Sequence, residues 1–222
     1  MPDDNKTMLT FSPATLMSLY QRLFSAYGHQ HWWPAQSPFE VIVGAVLTQN
    51  TAWINVEKAI ANLQAADRMD LERLHVLDHE SLASLIRPSG YFNIKSRRLK
   101  NLCVWMIAEG GMDALNKLPT LQLRTGLLSV NGIGPETADD ILLYAFYRPV
   151  FVIDSYTRRL LTKLGLIEGA EPYEVLRAGF ESNLAPDQAL FNEYHALIVR
   201  HAKQKCQLLP ECVHCQVEGP IQ

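Results

Sequence analysis

A chain of 222 residues, 48% hydrophobic and 19% charged, carries enough apolar material for one large or two small cores and is not a disordered composition. Its formal charge of -3 excludes a surface coated in positive charge, although a local basic face and backbone N–H groups still suffice to neutralise a few phosphates. The opening MPDDNKTMLT lacks the apolar core of a signal peptide, and no apolar run reaches membrane-spanning length, so a cytoplasmic protein with no membrane contact is expected.

Apolar residues recur at helical spacing along nearly the whole chain while alternating patterns are scarce, which predicts an all-α fold. TLMSLYQRLFSAY reads as a first helix ending near Gly28, and HQHWWPAQSP reads as a loop. PFEVIVGAVLTQN is an apolar helix begun by Ser37 and Pro38, and TAWINVEKAIANLQ continues as another. LERLHVLDHESLASLIRP holds two shorter helices ended by Pro88. A Ser-Gly turn then leads into a helix with Lys95, Arg97, Arg98 and Lys100 near its start. Four such cations form either a solvated face or a patch that meets a phosphate backbone. LPTLQLRTGLLSV supplies a further helix, and YEVLRAGFESNL and DQALFNEYHALIVRHAKQKC two more before a cysteine-bearing end.

The stretch from Leu127 to Leu164 carries the chemistry. VNGIGP is an apolar turn in which Gly132 and Gly134 provide a tight bend and Pro135 suits a first helical position. The helix it opens presents unpaired N–H groups and a partial positive charge, which suits an anionic oxygen. From Pro135 to Tyr147 that helix climbs roughly 20 Å, and six extended residues after the Pro149 stop span about the same distance. Folding back along the helix would bring Asp154 close to the glycine turn. The other reading of Asp154 is a plain cap on the helix SYTRRLLTKL, and the two are compatible.

GIGPETADDILLYA followed by VFVIDSYTRR resembles the helix-hairpin-helix, Gly/Pro-rich and aspartate motif of the endonuclease III superfamily of DNA glycosylases. The resemblance runs from about Leu16 to Cys215. It implies two helical lobes, a six-helix lobe over residues 37–148 and a second lobe made of residues 1–36 with 149–222. It further implies a monomer acting on double-stranded DNA with a damaged base, which is flipped out of the duplex before its N-glycosidic bond is cut. Asp154 matches the family aspartate, which stabilises oxocarbenium character at the sugar or activates the attacking water. Phosphate contact falls to Gly132, Gly134, Glu136 and Thr137. Where bifunctional members carry a Schiff-base lysine this chain has Glu136, and a carboxylate forms no imine, so the expectation is a monofunctional enzyme without AP lyase activity.

Trp32, Trp33, Gln49 and Trp53 are the candidates for the base pocket and for the residue inserted into the gap left by the flipped base, Gln49 being the one that resembles it. Adjacent tryptophans also serve as a plug in a core, and that reading stays open. WWP, LTQNT and RPSGYFN together resemble the 3-methyladenine branch, and indole faces suit a cationic alkylated purine by roughly 1–2 kcal/mol. The alternatives are a glycosylase/AP lyase on oxidised pyrimidines, a mismatch glycosylase, or a non-catalytic hairpin module that only binds DNA.

Cys206, Cys212 and Cys215 give C-x5-C-x2-C, similar to the iron–sulfur loop of many endonuclease III relatives. A [4Fe–4S] cluster normally takes four thiolates, and the position where the fourth is expected holds Ile221. Three readings stand: a cluster with a non-cysteine fourth ligand, zinc with His214 or another histidine, or a metal-free loop. A cluster would be structural, holding the basic loop with Arg200, Lys203 and Lys205 toward DNA. Cys103, on an apolar helix face, reads as a core residue.

Overall fold

The computed structural model describes residues 12–204 and 217–218, and among these every regular element is a helix. The all-α expectation holds. The chain divides into two compact units, residues 33–148, here the hairpin unit, and residues up to 32 together with those from 149 onward, here the aspartate unit.

The hairpin unit is built around α2 (Pro38–Leu47), whose residues from Phe39 to Leu47 are all buried. A helix apolar on every side belongs at the centre of a core. Its start follows capping rules: Ser37 Oγ accepts from the Glu40 N–H at 3.2 Å, and the Glu40 carboxylate reaches back to the Gln36 N–H at 3.3 Å. Next in order are α3 (Trp53–Ala65), α4 (Leu71–His75) and α5 (His79–Leu85), the last two capped by Asp70 and Asp78. A single 3-10 turn, Arg87–Ser89, leads into α6 (Phe92–Ala108), followed by α7 (Gly111–Asn116) and α8 (Thr120–Ser129).

The helix after the glycine turn, read from the sequence as continuous to Tyr147, departs from that expectation. It is α-helical over α9 (Pro135–Asp140) and then widens into one π turn, Ile141–Ala145. The wide turn shows in the Phe146 N–H, which donates to the Ile141 carbonyl at 3.2 Å. Tyr147, at φ +55°, ends it one residue before the Arg148-Pro149 pair. All five π residues are buried, so packing against α2 rather than local propensity sets the geometry.

The aspartate unit contains α1 (Pro13–Tyr27), α10 (Ser155–Lys163), α11 (Tyr173–Asn183) and α12 (Gln188–Lys203). Its core stacks Phe151 on Phe180 with centroids 3.8 Å apart, and Phe191 and Tyr194 close edge-on around Phe151. The run 149–154 is irregular and has no strand partner, so side chains take its backbone donors. Glu181 accepts from the Phe151 N–H at 3.0 Å, which keeps a buried amide from going unpaired.

Candidate functional site

The hairpin itself is α8, the turn 130–134 and α9. Val130 and Ile133 are buried and pin the turn to the core. Across the base of the hairpin, Arg124 on α8 donates Nε to Asp139 Oδ1 at 2.6 Å and an NH2 to Oδ2 at 3.0 Å, a buried two-pronged pair that locks the helices together.

The two glycines have different reasons to be glycine. Gly132 sits at φ +99°, and a Cβ there would lie 2.3 Å from Arg98 Cγ. Gly134 is an ordinary extended N-cap at φ -93°, ψ 177°, so of the two glycines expected to make the bend only Gly132 needs a positive φ. A Cβ on Gly134 would meet nothing within 4 Å, which leaves the outer face of the turn open to close approach by a ligand. Glu136 is exposed beside it and Thr137 is buried.

Gln49 joins this turn. Its Nε2 donates to the Gly132 carbonyl at 3.2 Å and to Thr137 Oγ1 at 2.9 Å, while its Oε1 accepts from Arg98. Three residues singled out from sequence for two different tasks, Gln49, Gly132 and Thr137, therefore form one network with Arg98. The neighbouring Asn50 is exposed at φ +53°, and Tyr91, before α6, is 67% exposed at φ +46°. A left-handed backbone costs an ordinary residue about 1–2 kcal/mol, a cost that His31, Asp67 and Tyr147 also carry. LTQNTAW offers Asn50 beside Gln49, but neither left-handed conformation was expected, because φ is not legible in residue type.

The cation cluster needs correcting. Lys95 is 1% exposed and Lys100 donates to the His75 and Leu77 carbonyls at the end of α4. With Arg98 engaged by Gln49, Arg97 is the exposed one of the four. Helical periodicity explains this, since 95, 99, 102, 103 and 106 are the buried face of α6. Cys103 lies on that face as expected, and burial pushes its thiol up to about 12.

The tryptophans separate. Trp33 packs edge-on to Trp53 with centroids 5.2 Å apart and lies 5.3 Å from Tyr144 on the π turn, all in the hairpin unit. Gly44 on α2 makes room, because a Cβ there would stand 3.0 Å from the Trp33 ring. Trp32 belongs to the aspartate unit, where Lys203 Nζ sits 5.7 Å above its ring.

Asp154 caps α10: its Oδ1 accepts from the Thr157 N–H at 2.7 Å. Its Oδ2 faces His195 Nε2 on α12 at 3.5 Å. Burial works to raise the carboxyl pKa, but the His195 contact and the Thr157 bond outweigh it and hold Asp154 below the ordinary carboxylate range. The result is a carboxylate that stays ionised while nearly closed to solvent. His195 was not singled out from sequence, since one histidine on a buried helix face carries no local signal.

Cys206, Cys212 and Cys215, with Lys205, His214 and Ile221, lie outside the described residues. Among the described residues no helix is long and apolar enough to cross a membrane.

Known proteins share sequence and fold with this chain. Residues 43–186 match the HhH-GPD superfamily of base excision DNA repair proteins. A Methanocaldococcus jannaschii protein, provisionally named DNA repair glycosylase MJ1434, is 44% identical over 206 residues, covering 91% of this chain and 94% of that one. The solved structure of H. pylori 3-methyladenine DNA glycosylase bound to 1,N6-ethenoadenine is 31% identical with a TM-score of 0.73, covering 89% of this chain and all 100% of that one. An endonuclease III–DNA complex shares the fold at a TM-score of 0.76 and 19% identity, over 93% of this chain and 94% of its own. A glycine hairpin held by a buried ion pair, followed by an aspartate-capped helix, thus stands in a chain that belongs to the HhH-GPD superfamily of base excision DNA repair glycosylases.

Proposed function

We propose that this protein is a monofunctional glycosylase that hydrolyses the N-glycosidic bond of alkylated purines such as 3-methyladenine in double-stranded DNA. The observation that carries the reading is Asp154: a buried carboxylate kept ionised by His195 and by the α10 cap. As the bond to a flipped nucleotide breaks, positive charge develops at the sugar, and a fixed carboxylate stabilises it or takes a proton from the attacking water. An alkylated purine already carries positive charge and leaves as a neutral base, so no second carboxylate is needed for its departure. Trp32, Trp33 and Trp53 are the aromatic candidates for holding a flat cation. Support for this substrate class comes from WWP, LTQNT and RPSGYFN and from the likeness to the H. pylori enzyme.

DNA is taken to meet the hairpin unit at the open face of Gly134 and at Asn50 and Tyr91. Gln49, bonded to the hairpin, braces this surface, which makes Asn50 the better candidate for entering the duplex. Glu136 supports the absence of a lyase step, because its carboxylate has no nitrogen to condense with the opened sugar. Three C-terminal cysteines are one thiolate short of a normal [4Fe–4S] site; such a cluster would take a fourth, non-cysteine ligand and would hold the loop rather than react.

The test is a panel of single-lesion duplexes scored for free base, with strand cleavage read before and after alkali. Release of 3-methyladenine with breaks only after alkali is expected, and Asp154→Asn should release base about 10²–10⁴ times more slowly. Equal release by both proteins would remove Asp154 from the mechanism. A borohydride-trapped protein–DNA adduct would overturn the monofunctional assignment.

A further inference from the structure

Lysine is among the residues least often fully buried, yet Lys95 is 1% exposed. Its ammonium has three N–H donors, and each finds an acceptor: the Leu47 carbonyl at 2.7 Å, Thr51 Oγ1 at 2.6 Å and the Ser89 carbonyl at 2.8 Å. None is a carboxylate. Leu47 ends α2, Thr51 closes the loop that leaves it, and Ser89 lies in the turn before α6. Thr51 Oγ1 in turn donates to the same Ser89 carbonyl at 2.5 Å. One buried cation thus joins two loops far apart in sequence, and each loop displays an exposed residue in the left-handed conformation, Asn50 on one side and Tyr91 on the other.

We propose that Lys95 is a positioning residue for DNA recognition, its ammonium tying the 48–51 loop to the 87–90 turn and so fixing the spacing of Asn50 and Tyr91. The inference rests on the reading that these two residues face DNA. A methionine of similar length would fill the same space without burying a charge, so the ammonium is kept for the geometry it imposes rather than for stability. Distorted DNA is the ligand that demands this geometry, because two side chains must enter one opened step at a fixed separation.

The bridge is sensitive to protonation, since a neutral amine has two N–H groups for three acceptors. Burial, helped by Arg98 one turn along α6, lowers the Lys95 pKa to about 8. From the elements packed against it, the groups facing Nζ are the Leu47 and Ser89 carbonyls and the Thr51 hydroxyl; the charge that acts on it is Arg98.

The experiment measures binding of the full chain to a duplex with a tetrahydrofuran abasic analogue and to the same duplex intact, by fluorescence anisotropy. The wild type should prefer the abasic duplex, and Lys95→Met should lose about tenfold of that preference while binding intact DNA within about twofold, on the scale of one hydrogen bond to a charged group. Thr51→Val should lose part of it in the same direction. Between pH 7 and 9 the wild-type preference should fall while that of Lys95→Met stays flat, a readout that simple core filling does not move. Unchanged preference in a folded Lys95→Met, or a pH-flat wild type, overturns the proposal. If Lys95→Met does not fold, an unchanged Thr51→Val does so instead. A wild type with no preference for abasic DNA would sink the DNA-facing reading itself and the role of Lys95 with it.

Discussion

Alanine at Gly134 should leave the protein as stable as before and bind DNA poorly, which separates the hairpin's contact role from its folding role. The backbone there, φ -93° and ψ 177°, is one that any L-residue adopts, and the added methyl would meet nothing within 4 Å. Stability should therefore change by no more than about 0.5 kcal/mol. The methyl does project from the N-cap of α9, where the proposed phosphate contact would bring an oxygen close to the N–H groups of the first turn. Losing one hydrogen bond to a charged oxygen is worth about 1.5–3 kcal/mol, or roughly 10- to 100-fold in affinity. Gly132→Ala is the contrast. It forces an alanine to φ +99° and places Cβ 2.3 Å from Arg98 Cγ, so Arg98 must move and release Gln49. Adding about 1–2 kcal/mol for the backbone and about 1 for the lost bond gives about 2–3 kcal/mol, a fall in Tm of roughly 5–10 °C for a chain of this size. Thermal unfolding and anisotropy with a lesion duplex read both quantities. A Gly134→Ala protein that binds within about twofold of wild type would refute the assignment of this turn to phosphate contact.

Asp139→Asn strips Arg124 of its carboxylate in a buried site and should cost about 3–5 kcal/mol in urea unfolding; a loss under 1 kcal/mol would mean the pair does not hold the hairpin. Asp154→Asn keeps a competent cap, so at pH 7 its stability loss should be confined to the missing carboxylate charge, while base release slows about 10²–10⁴-fold. Because the folded Asp154 pKa is depressed, its charge adds stability above the unfolded carboxylate value that is lost as pH falls through the folded value; Asp154→Asn should lack that acid dependence, as unfolding at pH 2–5 would show. Lys95 has the opposite sign. Its folded pKa of about 8 against 10.5 means the charged form weighs on the fold by about 3 kcal/mol, so any stability advantage of Lys95→Met at pH 7 should shrink as pH rises from 8 to 10.5. A constant difference across that range would show that folded Lys95 keeps its proton there and that burial does not lower its pKa.

Much of the site was legible because its signals are local. The glycines of the hairpin, Pro135 at the helix start and Asp154 before SYTRRLLTKL are each read from neighbours in the chain, and capping rules place them without knowledge of the fold. The fate of the cations was not. Lys95, Arg97, Arg98 and Lys100 look alike in sequence, yet one is buried against carbonyls, one is exposed and two are engaged with other segments. A long flexible side chain takes its environment from whatever segment folds over it, and for Lys95 that segment includes Thr51, 44 residues away.

Residue order alone determined that the regular elements among the described residues are helices, where several of them start, and which family's hairpin and aspartate the chain carries, because helix periodicity, caps and glycine turns act over a few residues. Tertiary structure decided what those features touch. It set His195 against Asp154, locked Gln49 onto the Gly132 turn, widened the helix at Ile141 and placed an ammonium between two distant loops. Each of these depends on packing between segments remote in the chain, whose energies appear only once both partners share a core.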